Sequence, residues 1–440
     1  MEVLFSCVCL QTLAWRSSVH HLGIGSGRQF TRRHIMDAAF PSLKSRFRGA
    51  LGGVLAGDCL GSIFEGPYWN SQVPASEITG HFSEVQQMAL SKQEFLQFTD
   101  DTAMSLSVAA SLATKRAFDG PDMATRFVTE YYRENWRGYG GNVVTVFERL
   151  RERGFRPEAP YATRSTASRN HDIDDATANA ANDGTTQHNN IPEWEIPASE
   201  QFNGTGSKGN GGGMRAAPVG LFGYHSVDET VRVAVSQARI THTHPEGVAG
   251  SVLQSLAVRK ALRMPVGELN PLRFVDEIKE EMREFETSLQ RQQDSSGYDA
   301  PNNQGQPQQG SGIMECLDAV KDMLREGQER LGDQRDTDFV SRVCEVLGSD
   351  VTASRSVPTA LFCFLYIVGV KAGSFADVVA FSISLGGDTD TIASMAASLA
   401  GAYMGAEAIP EAWQRACEGW REMMQMADAL YGLSGAPVSE

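Results

Sequence analysis

The stretch FPSLKSRFRGALGGVLAGDCLGSIFEG, residues 40–66, decides the fold class. Its apolar side chains Phe40, Leu43, Phe47, Leu51 and Leu55 recur every three or four positions, the period of one buried face of an α-helix. A long amphipathic helix is predicted, with the glycine-bracketed run Gly57-Asp58-Cys59-Leu60-Gly61-Ser62-Ile63-Phe64-Glu65-Gly66 at its end. Apolar residues spaced two to four apart return in Met104-Leu106-Val108-Leu112 and Met123-Phe127-Tyr131, whereas strand-like alternation is scarce. An all-α fold follows, a single large compact helical domain.

Length alone would suggest two or three domains, since the chain has 440 residues. Two polar stretches revise that. Arg156 to Glu200 is rich in Asn, Ala, Thr and Asp, and Glu284 to Gly312 includes Gln306-Pro307-Gln308-Gln309-Gly310. Each is short of apolar anchors and cannot offset its ordering entropy by burial, so disordered insertions are expected near 156–200 and 284–312 of a domain spanning 37–435. Residues 1–36 form a separate extension: from Val3 to Met36 there is no Asp or Glu, while Arg16, Arg28, Arg32 and Arg33 lie among Ser and apolar residues. Such composition fits either an organelle transit peptide or a start at Met36.

Composition excludes several function classes. The chain is 41% hydrophobic and 21% charged, with a mean hydropathy of -0.27, as in soluble globular proteins. No apolar stretch approaches the roughly 20 residues of a membrane span, so no membrane is expected. Against 54 Asp and Glu stand 39 Lys and Arg, a net charge of -15 that offers no field for nucleic acid or anionic lipid. The seven cysteines form no CxxC pair, which argues for a reducing compartment without a zinc site or disulfide framework. The 43 glycines gather beside carboxylates, in runs expected to be loops.

Phe98-Thr99-Asp100-Asp101-Thr102-Ala103-Met104 opens an apolar helix. One N-cap explains one acid, but adjacent carboxylates repel each other unless a cation lies between them. Ser384-Leu385-Gly386-Gly387-Asp388-Thr389-Asp390-Thr391-Ile392-Ala393 is built alike and precedes a small-residue helix through Ala397, Ala400, Gly401 and Gly405. Oxygen-only donors of this kind suit Mg2+, with Mn2+ or Ca2+ as further candidates. For Asp58 and Glu65 the commoner reading is a helix C-terminus with a solvated acid.

Gln201-Phe202-Asn203-Gly204-Thr205-Gly206-Ser207-Lys208-Gly209-Asn210-Gly211-Gly212-Gly213-Met214-Arg215 is a glycine-rich loop leading into a helix, able to aim N–H groups at phosphate. It is neither a Walker A sequence nor a Rossmann fingerprint. In Thr241-His242-Thr243-His244-Pro245 the two histidines lack the spacing of a zinc pair; a ligand hydrogen bond or a cap on a helix starting near Pro245 suits them better.

These motifs, with GYGGNVVTVF (138–147), SVPTALFCFL (356–365) and SLGGDTDTIASMAASLAGAYMG (384–405), together resemble the ADP-ribosylglycohydrolase family over roughly Ser42 to Tyr431. GDCLGSIFE and QFNGTGSKGNGG resemble the branch that hydrolyses serine-linked ADP-ribose and poly(ADP-ribose). The resemblance implies a Mg2+-dependent hydrolase of that O-glycosidic bond, with two ions per subunit and Mn2+ as an alternative. One ion would be held by Thr99, Asp100, Asp101 and Asp390, the other by Glu65, Asp388, Asp390 and Thr391, with Asp390 bridging. Glu65, on a mobile loop, would protonate the leaving oxygen or activate water, and Asp100 is the competing residue for water. Thr205, Gly206, Ser207, Lys208, Gly209, Asn210 and Gly211 would wrap the diphosphate. Phe202 would stack on adenine, His242 would approach ribose or phosphate, and Gly138 and Gly140 the distal ribose.

One departure stands out: the branch commonly has a tyrosine where Lys208 stands, so adenine loses a second aromatic wall. Implied partners are ADP-ribosylated proteins, poly(ADP-ribose) and the product ADP-ribose, with no direct nucleic-acid contact and a monomeric state. The implied setting is the DNA damage response in nucleus and cytoplasm, with mitochondria added if residues 1–36 are a transit peptide. Arginine-ADP-ribose hydrolysis and non-catalytic ADP-ribose binding are the alternatives.

Overall fold

The computed structural model describes residues 41–91, 95–156, 191–296, 311–331 and 336–435. Its first helices are α1 (Leu43–Glu65), α2 (Ala75–Ser91), α3 (Asp100–Lys115), α4 (Gly120–Arg133) and α5 (Gly141–Glu152). Four short turns of helix follow, α6 (Ile196–Ser199), α7 (Gln201–Gly204), α8 (Gly211–Met214) and α9 (Ala217–Phe222), then α10 (Val227–Arg239), α11 (Pro245–Arg263) and α12 (Pro271–Ser296). The remainder is α13 (Ile313–Glu329), α14 (Asp336–Val346), α15 (Ala353–Phe364) running into a π-helix (Leu365–Val370), α16 (Phe375–Ser384), α17 (Thr389–Met404), α18 (Glu411–Ala416) and α19 (Trp420–Leu433). No strand forms among the described residues, where only the isolated bridges Leu96–Cys417 and Gly209–Thr352 occur.

The axis of the fold is the antiparallel pair α1 and α17. Gly49, Gly53, Gly57 and Gly61 recur every fourth residue on α1, and a Cβ on any of them would come within 3.0 Å of the backbone of Gly401, Ala397, Ala393 and Thr389 respectively. Four steps forward on α1 are four steps back on α17, so the backbones approach at the distance that only small residues permit. The glycine-bracketed run from Gly57 is therefore helical rather than a loop at the helix end: α1 is unbroken through Glu65. Leu51, Val54, Leu55 and Leu60 are fully buried around this seam.

Local sequence explains the other helix starts. Ser42 caps α1 by accepting a hydrogen bond from Ser45 N at 3.1 Å, and Asp119 caps α4 by accepting one from Asp122 N at 2.9 Å. The second polar stretch differs from expectation: α12 continues to Ser296 with Phe285 buried, so residues 284–296 are helical. The first ends early, because Trp194 to Ala198 pack into the fold and Glu195 pairs with Arg239 at 2.6 Å. Residues 157–190 and 297–310 of these stretches, like residues 1–36, lie outside the described residues. Ala353–Val370 has the length and composition of a membrane span, yet 72% of it is buried inside the protein, as befits a core helix.

Candidate functional site

Three helix ends converge. The α1–α17 register brings Glu65, the last residue of α1, to the start of α17, where one carboxylate oxygen from each of Glu65, Asp388 and Asp390 lies within 4.8 Å of the others. Glu65 therefore sits on a helix end rather than on the loop the sequence suggested. At the start of α3, Thr99 is the N-cap, its side chain accepting from Asp101 N at 3.3 Å. The two acidic helix starts meet through Thr391, whose hydroxyl donates to Asp101 Oδ1 at 3.3 Å. Gly138, at φ 85°, closes one side: a Cβ there would stand 3.8 Å from Asp100 Oδ1.

The electrostatics are those of acids packed together with no cationic side chain hydrogen-bonded to them among the described residues. Burial, then the charges of Asp388 and Asp58, pushes Glu65 up to about 7. Burial, then the Asp58 charge, pushes Asp100 up to about 8. Asp101 and Asp390 are driven well above the carboxylate range by burial and neighbouring acids. Burial also raises Asp388, opposed by hydrogen bonds from Asp390, Asn210 and Thr391. Asp101 Oδ2 is buried with no hydrogen-bond partner. Oxygen donors alone, clustered acids and an orphaned carboxylate oxygen fit a hard divalent cation.

Asp58 was read as a solvated acid and is the opposite, fully buried. Its carboxylate accepts from Thr99 N at 3.0 and 3.1 Å and from Thr102 N at 3.1 Å, capping α3 from a neighbouring helix. Burial raises it to about 6, against the opposing pull of those hydrogen bonds. The signal was available: Asp58 and Glu65, seven apart, share one helix face once α1 is carried to its full length.

The glycine-rich loop adjoins this centre. Asn210 Nδ2 donates to Asp388 Oδ2 at 2.5 Å and to Ser356 Oγ at 3.0 Å. Asn210 N donates to Val351 O at 2.9 Å, and Ala353 N to Lys208 O at 3.0 Å, pinning the loop to the start of α15. The helix that follows is the four-residue α8, too short to supply the expected dipole. Thr205 and Gly206 donate their N–H groups within the turn to Phe202 O and Gln201 O. Ser207 Oγ accepts from Gly209 N at 3.2 Å. Phe202 is 51% exposed in the left-handed region (φ 51°), an unusual conformation for an aromatic residue. Lys208, with its side chain 60% exposed, lies 3.5 Å from Glu246.

His242 is buried beside the loop: a Cβ on Gly211 would come 2.6 Å from its Cε1, and one on Gly209 3.2 Å from its Nε2. His244 caps α11, its Nδ1 accepting from Glu246 N at 3.1 Å. Gly140 is the exposed N-cap of α5, with open space around it. The sequence reading missed Arg215, a fully buried guanidinium under the loop.

Comparisons with known proteins show the family. A family model described as ADP-ribosylglycohydrolase matches residues 40–438. The chain is 35% identical over 399 residues to ADP-ribosylhydrolase ARH3 of Mus musculus, covering 88% of this chain and 91% of that one. It is 34% identical over 399 residues to ADP-ribosylhydrolase ARH3 of Homo sapiens, covering 88% and 93%. A solved structure titled ADP-ribosylglycohydrolase-related protein complex shares the fold with a TM-score of 0.54 at 22% identity, covering 89% of this chain and 99% of that one. The chain belongs to the ADP-ribosylglycohydrolase family and is a hydrolase of ADP-ribose glycosidic bonds.

Proposed function

We propose that the enzyme releases ADP-ribose from protein serine and from poly(ADP-ribose), with Mg2+ held between α1, α3 and α17. The observation that carries this reading is the 2.5 Å hydrogen bond from Asn210 to Asp388, which joins the glycine-rich loop to the acidic centre. An ADP-ribose whose diphosphate lies along that loop then has its distal ribose beside the acids. Glu65, Asp388, Asp390 and Thr391, with Thr99, Asp100 and Asp101 beside them, are the residues that would hold the metal. Such ions, when bound, orient ribose hydroxyls and polarise the glycosidic oxygen.

The chain's own residues supply the rest. Hydrolysis adds water oxygen to C1″ while the bond from C1″ to the serine oxygen breaks, so one proton must leave the water and one must reach the serine. Glu65, at the end of α1 beside Asp388 and Asp390, is the carboxylate proposed for either transfer. Asp100 is the second group able to orient the water. Phe202 offers an exposed face to adenine, and burial together with the Arg215 charge keeps His242 a neutral hydrogen-bonding group by lowering it to about 3.

The test compares ADP-ribose release from serine-linked, arginine-linked and polymeric substrates, with Mg2+ and with EDTA. Release from serine and polymer that stops in EDTA supports the reading. Preference for the arginine-linked substrate, or undiminished release in EDTA, overturns it.

A further inference from the structure

Beneath the glycine-rich loop lies a chain of hydrogen bonds with a fixed direction. The Arg215 guanidinium is 0% exposed and has no carboxylate hydrogen-bonded to it among the described residues. Its Nε donates to Gln237 Oε1 at 2.7 Å, one Nη to Gln237 O at 3.0 Å and to Thr241 Oγ1 at 2.8 Å, and the other Nη to Met104 Sδ at 3.7 Å. It also lies 4.7 Å from the centre of the Phe127 ring. A guanidinium has no acceptor, so Thr241 Oγ1 receives from it and must send its own single proton elsewhere. The partner is His242 Nδ1, at 2.7 Å. No other acceptor for that proton is hydrogen-bonded to Thr241 Oγ1 among the described residues, so the arrangement that uses it makes Nδ1 the acceptor, which in a neutral imidazole leaves the ring proton on Nε2.

Nε2 has no hydrogen-bond partner among the described residues, although His242 is only 8% exposed. It faces Gly209 and Gly211, where the absence of side chains leaves it room. The same guanidinium orders the loop itself: Gln237, held through its Oε1, donates its Nε2 to Gly212 O at 2.8 Å and to Ser251 Oγ at 2.6 Å. One buried cation thus sets both the ring proton and the backbone next to it.

We propose that Arg215 and Thr241 are positioning residues, whose relay fixes His242 as the Nε2–H tautomer and aims that N–H into the glycine-rich loop as a donor to an anionic oxygen of the ligand. The identity of that ligand as the ADP-ribose diphosphate rests on the function proposed above; the ring tautomer does not. Without the hydroxyl, His242 is free to place its proton on Nδ1 and present a lone pair to the anion, which repels it.

The experiment uses the full chain with histidine labelled by 15N and 13C, the His242 ring being assigned from the spectrum of His242→Gln. The expected result is a neutral Nε2–H ring that does not titrate between about pH 5 and about pH 8, in line with its burial. Thr241→Val should convert part of the ring to the Nδ1–H form and weaken ADP-ribose binding, read by calorimetry, by about fivefold to tenfold, the worth of one hydrogen bond. Thr241→Ser should restore both. A wild-type Nδ1–H ring, or Thr241→Val with unchanged tautomer and affinity, overturns the relay. Should wild-type protein bind no ADP-ribose, the named ligand falls with the proposed function, while the tautomer of the wild-type and Thr241→Ser rings still decides the relay.

Discussion

Asp58 holds Thr99 from across a helix boundary: its Oδ1, at the end of a fully buried side chain on α1, lies 3.0 Å from the Thr99 amide. The acidic start of α3 is thus fastened to α1, which carries Glu65 two helical turns further on. Asp58→Ala leaves the amides of Thr99 and Thr102 buried without acceptors, at a cost of about 1–3 kcal/mol. Urea denaturation should show that loss, with a smaller one for Asp58→Asn, and Mg2+ titration should show weaker binding in both. Wild-type stability in Asp58→Ala would refute the capping role.

The seam between α1 and α17 makes a second prediction. Gly57→Ala places a methyl against the Ala393 backbone, where nothing can give way. Overpacking of this kind costs about 1–3 kcal/mol or more, so the variant should melt well below wild type or fail to fold. Gly80→Ala is the control: it lies within α2 with nothing within 4 Å, and should stabilise by about 0.5–1 kcal/mol through helix propensity. Equal melting temperatures for the two variants would contradict the close approach.

The acidic centre sets a pH dependence whose sign can be worked out. In the metal-free fold Glu65 stands at about 7 and Asp100 at about 8, both above their unfolded values near 4. The folded state binds more protons in that window, so the contribution of these groups is complete below about pH 4 and is lost as pH rises through about 7 and about 8. Metal-free protein should melt at lower temperature at pH 8 than at pH 5, and added Mg2+ should raise the melting temperature more at pH 8. Calorimetry with and without EDTA measures both; a Mg2+ effect independent of pH would count against ligation by these acids.

At the adenine end, Phe202→Ala should weaken ADP-ribose binding by about 1–3 kcal/mol, the range for stacking of one base on an aromatic side chain. Lys208→Tyr should tighten it and flatten its salt dependence, because a phenol ring replaces an ammonium beside the phosphates. Salt-series calorimetry on both variants separates stacking from charge. An unchanged salt slope in Lys208→Tyr would remove Lys208 from the phosphate environment.

Most of the helical architecture was legible because the buried faces of α1, α3 and α4 repeat their apolar residues at helical spacing. Asp100, Asp101, Asp388 and Asp390 stood out by a surplus that capping alone does not need. What was hidden shares one cause. Glycine is ambiguous in sequence, serving both turns and close helix contacts, so Gly57 and Gly61 read as punctuation and cut α1 short. That in turn turned Asp58 into a surface acid and Glu65 into a loop residue. Arg215 stayed unread for a different reason: its partners, Gln237 and Thr241, lie 22 and 26 positions away, and no local pattern links them.

The matched small-residue ladders of α1 and α17 also fix what kind of change the gene can accept. One residue added to α1 between Gly49 and Glu65 would rotate everything beyond it by about 100° and advance it by about 1.5 Å. The methyl-free edge would turn off its partner, and the Glu65 carboxylate would swing out of reach of Asp388 and Asp390. A residue lost from α17 would do the same from the other side. The two helices behave as a vernier whose phase is read at the acidic centre, so their lengths are locked while substitutions on their outer faces remain open.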